Sequence, residues 1–205
     1  MDSVVEIGSL DHTRKIRQVQ IFTIVWMLAE VVVSLCSAWR ASSPALFAFG
    51  GDSVIELASA VVVLWRFRSG ARCETEEGRA VRIAGALLFV LAACVAMVSA
   101  ASLLGYREPR PSVPGIVILL LAAVVMPLLA RAKRNLSTVT GSAALRADAA
   151  ESAVCAYLSV AALLGVGVNT MWHFPWADPV AALLIVPLIL WEGREAMRGK
   201  ACGCC

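Results

Sequence analysis

The sequence predicts an all-α, polytopic membrane protein: six transmembrane helices with the N- and C-termini both cytoplasmic. Three observations lead there. Hydrophobic residues make up 60% of 205 and charged ones only 16%, with a mean hydropathy of +0.78, too apolar for a water-soluble domain of this size. Six apolar runs approach the ~20 residues that cross a hydrocarbon core about 30 Å thick. The basic residues divide unequally between alternate connecting segments, as they do when they orient spans across a bilayer.

The runs fall at about 19–39, 45–67, 81–104, 113–130, 143–168 and 175–191. The first 18 residues, "MDSVVEIGSLDHTRKIRQ", mix both signs of charge and lack the apolar region and small-residue cleavage site of a removable signal peptide. The first span therefore acts as its own insertion signal. Arg14, Lys15 and Arg17 precede it, and Arg40 follows it in the short connection "RASSP". Arg66, Arg68, Arg72, Arg79 and Arg82 join the second and third spans, and Arg131, Lys133, Arg134 and Arg146 the fourth and fifth. Arg194, Arg198 and Lys200 follow the sixth, so fifteen of eighteen basic residues lie on one side, and only Arg40, Arg107 and Arg110 on the other. That side is the cytoplasm.

The third span carries Ala92, Ala96 and Ala100 at four-residue spacing, a small-residue stripe suited to close packing within the subunit or against a second copy in a homodimer. The outer connections "GYREPRPS" and "NTMWHFPWADP" are turn-like, with Trp172 and Trp176 at interface height. Asp178 before Pro179 reads as the N-cap of the sixth helix. His12 and His173 lie outside the spans, without ligand-spaced neighbours. No linker divides the chain, so residues 1–205 are expected to form one domain, with 192–205 a short cytoplasmic tail. The chain is expected in the inner (cell) membrane as a multi-pass protein. Its net charge of +3 gives no nucleic-acid signal, because the basic residues flank spans, where they orient the chain, instead of forming one face.

Acids inside such runs are costly, and normally face the bundle interior and mark an ion path. Five are candidates: Glu30, Asp52, Glu56, Asp148 and Glu151. Counting inward from the cytoplasmic helix ends, Glu56 and Glu151 each lie about 11 residues deep, and Asp52 and Cys155 about 15. Two antiparallel helices thus present matched pairs, each spaced i,i+4 on one face. Carboxylate oxygens and a thiolate are acceptable ligands for a tetrahedral divalent cation. Three carboxylates and a thiolate exceed the charge of that cation, and like-charged buried acids cannot all stay ionised, so protons are expected to replace the departing metal. Glu30, about 11 residues deep, could join the site or a proton path, or bond to a neighbouring helix. Asp148 is expected to line the inner access path or pair with Arg146.

"SPALFAFGGDSVIELASAVVVLW" resembles the second-helix signature of cation diffusion facilitator transporters, in which a DxxxD pair supplies two zinc ligands. "LRADAAESAVCAYLS" is similar to their fifth-helix signature, and "EGRAVRIAGALL" and "WADPVAALLIVPLILWEGREAM" extend the likeness to the third and sixth helices. The resemblance implies metal ligands at Asp52, Glu56, Glu151 and Cys155, the four that depth also selects. It implies export of Zn2+ from the cytosol in exchange for protons, with no enzymatic activity and no organic cofactor. The chain departs from the family in having Glu56, Glu151 and Cys155 where Asp, His and Asp are usual, and in ending without the usual cytoplasmic domain, like a truncated, transmembrane-only member. The thiol moves preference toward softer ions such as Cd2+ or Hg2+, and Co2+ is a further alternative to Zn2+.

The chain ends "RGKACGCC", where Cys202, Cys204 and Cys205 read either as a thiolate hook capturing metal at the inner mouth or as a disordered tail whose cysteines are acylated or incidental. A membrane enzyme is disfavoured by the absence of His from the spans. A thiol redox protein would carry its cysteines on a folded, electropositive scaffold. A membrane metal sensor or scaffold without transport needs the same ligands and is the alternative reading.

Overall fold

A computed structural model describes residues 2–69, 74–141 and 143–198. Among them are six α-helices and no strand: α1 Asp2–Ala41, α2 Pro44–Ser69, α3 Glu74–Leu103, α4 Val113–Thr140, α5 Ala143–Trp172 and α6 Ala177–Met197. Five are long and apolar enough to cross a membrane. The sixth has the shortest apolar reach, bounded by Asp178 at its start and by Glu192, Arg194 and Glu195 near its end. It nevertheless packs inside the same bundle, against α2, α3 and α5.

Backbone chemistry closes the helices where the sequence supplies turn residues. Ser42, Gly105, Gly141 and His173 all take positive φ just beyond the ends of α1, α3, α4 and α5, the left-handed conformation that ends helices. His173, which spacing leaves without a role, thus has a backbone one. Ser112 caps α4 by accepting from the Gly115 amide at 3.2 Å, with Pro114 in the first turn.

Several helices overrun the apolar runs that predict them, α1, α3 and α4 most of all. α1 begins at Asp2 although its apolar span starts near Arg14. α3 begins at Glu74. α4 continues ten residues past 130, through Arg131, Lys133 and Arg134. Basic residues are good helix formers, so a charge cluster ends an apolar run without ending a helix.

The bundle is a ring in which α1 touches α2 and α4, α4 touches α5, α5 touches α6, α6 touches α3, and α3 returns to α2. In addition, α2 reaches across to α5 and α6. This places α2 and α5 face to face at the centre. The core between helices is apolar, with Met27, Leu46, Phe49, Leu119, Met126, Leu158, Ile185 and Ile189 fully buried. On α4 the buried positions Ile118, Leu119, Ala122, Met126, Leu129 and Lys133 recur at helical spacing. Its outer face shows Val117, Leu120, Leu121, Val124 and Leu128, as a helix facing lipid must. On α3 the alanine stripe turns with the helix: Ala92 is buried, Ala96 half-buried and Ala100 exposed. Close contact comes elsewhere, at Gly165 of α5, where an added Cβ would lie 2.4 Å from Cβ of Ala181 in α6.

Asp178 is not the cap of its own helix. Its carboxylate accepts from Ser43 Oγ at 2.5 Å and from the Ala45 amide at 2.9 Å, so it caps α2. Ser43 in turn accepts from the Leu46 amide at 3.1 Å. An acid in the first turn of α6 answers the unpaired amides of α2 because the two helices start side by side.

Candidate metal centre

Two facing helices build the centre. Asp52 and Glu56 lie one turn apart on the buried face of α2, and Cys155 is fully buried on α5. One carboxylate oxygen from each acid and Sγ of Cys155 all lie within 4.8 Å of one another. The thiol lies close enough to the Glu56 carboxylate for the two to interact electrostatically. Two oxygens and a sulfur so spaced are an acceptable partial ligand set for a tetrahedral divalent cation.

Glu151 does not join that trio. It lies one turn along the same face of α5, where its carboxylate accepts from Ser59 of α2. Its Oε2 is buried without a hydrogen-bond partner, as is Glu56 Oε2. Glu151 is close enough to Asp52 and Glu56 for their charges to interact. It is therefore adjacent to the trio and has an oxygen to offer.

Glu30 is fully buried on α1, beside the centre. Trp26 Nε1 donates to its Oε1 at 2.5 Å, and Ser53 of α2 reaches its Oε2 at 3.5 Å. It thus contacts a neighbouring helix and feels the charge of Glu56.

Asp148 does not pair with Arg146, which is exposed; it is buried between α1, α4 and α5. Lys133 Nζ donates to its Oδ1 at 2.9 Å, and Gln20 Nε2 to its Oδ2 at 2.5 Å. Lys133, read from the sequence as one of the cytoplasmic basic residues, is wholly buried. The extension of α4 carries it inward, and a buried charge requires a partner.

Glu192 was missed by sequence reasoning. It is half-buried near the inner end of α6, its Oε2 has no hydrogen-bond partner, and its charge interacts with those of Asp52, Glu151 and Glu56. A signal was available: it lies fourteen residues beyond Asp178, or only ~21 Å along a helix, short of a ~30 Å core. Cys202, Cys204 and Cys205 lie outside the described residues.

A bundle of long apolar helices defines a class, that of integral membrane proteins, and acidic oxygens and a thiol buried among them are a set that could hold a cation. A family model described as the cation efflux transmembrane domain matches residues 80–199, more than half of the chain. The chain belongs to that family, whose members transport divalent metal cations. The match takes in Glu151, Cys155 and Glu192, while α1 and α2, with Asp52 and Glu56, precede it. No curated protein matches the chain.

Proposed function

We propose that this protein exports zinc, or a softer relative such as cadmium, from the cytosol in exchange for protons, using Asp52, Glu56, Glu151 and Cys155 as the transport site. The observation that carries the reading is the approach of Asp52, Glu56 and Cys155 to within 4.8 Å across two helices. Unpartnered buried oxygens on Glu56 and Glu151 support it, since a buried carboxylate oxygen without a donor is costly unless something else satisfies it. Acids this close favour either a divalent cation or added protons, and exchange between the two conditions is metal–proton antiport. Glu30 and Glu192 flank the site as further proton or metal contacts. The terminal cysteines are proposed to capture metal at the inner mouth, both termini facing the cytoplasm of a cell-membrane homodimer.

The test is flux in proteoliposomes holding a metal-sensitive dye. Asp52→Ala should abolish Zn2+ uptake while the protein remains folded, because removing a buried acid lifts a cost. Wild-type flux in that variant would sink the reading. Binding without flux in the wild-type protein would make it a metal sensor.

A further inference from the structure

A chain of hydrogen-bonded polar side chains runs from α4 into the centre. Lys133 Nζ lies 2.9 Å from Asp148 Oδ1 and 2.8 Å from Ser152 Oγ. Ser152 Oγ lies 2.7 Å from Glu56 Oε1 and 3.1 Å from the carbonyl of Asp148. Lys133, Asp148 and Ser152 are all buried, so water does not compete for these bonds.

Donor counting gives the chain a direction. An ammonium group has only donors, whereas a hydroxyl has one proton and two lone pairs. Ser152 must therefore accept from Lys133, and its single proton remains for Glu56 or the Asp148 carbonyl. The shorter bond, to a carboxylate, is the stronger. Oε1 of Glu56 thereby accepts one hydrogen bond, and Oε2, buried and without a hydrogen-bond partner among the described residues, is the oxygen freer to meet a cation.

We propose that Ser152 and Lys133, the latter paired with Asp148, to which Gln20 in turn donates, are positioning residues that fix the Glu56 carboxylate so that it offers one oxygen to the transported ion. The proposal rests on the reading of Asp52, Glu56 and Cys155 as the transport site. Groups that orient a metal ligand typically change affinity 10–100-fold when removed. A purely structural ion pair tying α4 to α5 would instead change stability and leave affinity alone.

The test uses the full chain in proteoliposomes, with Zn2+ and Cd2+ as probe ions, and thermal unfolding alongside. Ser152→Ala keeps the Lys133–Asp148 pair and should raise KM about tenfold or more, and Ser152→Thr, which retains the hydroxyl, should return KM toward wild type. The double variant Lys133→Met with Asp148→Leu removes both buried charges together, avoiding an uncompensated one, and should raise KM similarly. Adding Ser152→Ala to it should raise KM no further, as expected for residues acting in one chain. A wild-type KM for Ser152→Ala, or a change in unfolding temperature alone, would overturn the proposal. So would a KM in the triple variant equal to the product of the separate effects. Asp52→Ala distinguishes the two levels of failure. If it is inactive while Ser152→Ala keeps the wild-type KM, only the positioning role fails, and if it transports normally, the site reading fails as well.

Discussion

Cys155 distinguishes this centre chemically from one built only of oxygen and nitrogen. Its thiol is fully buried beside Glu56, in a position where the resemblance leads one to expect a carboxylate. A thiolate favours soft ions over hard ones, whereas a carboxylate does the reverse. Cys155→Asp should therefore retain Zn2+ flux but weaken Cd2+ and Hg2+ relative to zinc by on the order of tenfold, about 1.4 kcal/mol. Competition among the three ions in the same vesicles measures this, and an unchanged ranking would remove Cys155 from contact with the ion. The acids around it were legible in the sequence because a carboxylate in an apolar run is too costly to hold there without an ion, a proton or a donor to satisfy it. Ser152 was not legible, since a serine is unremarkable in any helix and acquires meaning only from Lys133 on one side and Glu56 on the other.

At the scale of elements, the centre depends on how α2 is started and on how closely α5 and α6 approach. Asp178 holds the first turn of α2 through Ser43 and Ala45, and Asp52 lies two turns further along the same helix. Asp178→Ala leaves a buried hydroxyl and a buried amide without their acceptor, which should cost about 1–3 kcal/mol. The expected result is a lower unfolding temperature in detergent, with Zn2+ affinity changed far less than by Asp52→Ala. An unchanged unfolding temperature would mean that α2 starts without this cap. The helices themselves could be read from apolar length, but their ends could not. α4 runs on through a basic cluster because only packing against α1 and α5 decides where Lys133 goes.

For the whole molecule, the bundle buries charge at its centre and presents apolar side chains outward, the arrangement a bilayer requires. Fifteen of eighteen basic residues lie in segments read as cytoplasmic, which sets the sign of the coupling experiment. If protons replace the metal on Asp52, Glu56 and Glu151, acidifying the side opposite the cytoplasmic face should accelerate metal leaving that face. Making the cytoplasmic side acidic should slow it, because protons then compete for the ligands where metal must load. With membrane potential clamped, a tenfold proton gradient is worth about 1.4 kcal/mol per proton exchanged. Flux indifferent to the gradient would exclude proton coupling.

The membrane class, the helical spans and the acids worth following were determined by the sequence alone, because each is a local property: apolar length against bilayer thickness, and charge against the cost of burying it. Asp52 and Glu56 needed only their spacing to share a face. Tertiary structure alone decided which of the marked residues meet. Glu151, matched in depth, fell one turn outside the closest trio, and Asp148 turned away from the centre to Lys133. Glu192 came in from a helix whose end reads as solvent-facing, and Asp178 capped a neighbour instead of its own helix. These outcomes depend on helix rotation and on contacts 96 to 135 residues apart in the chain, and residue spacing within one helix carries no information about either.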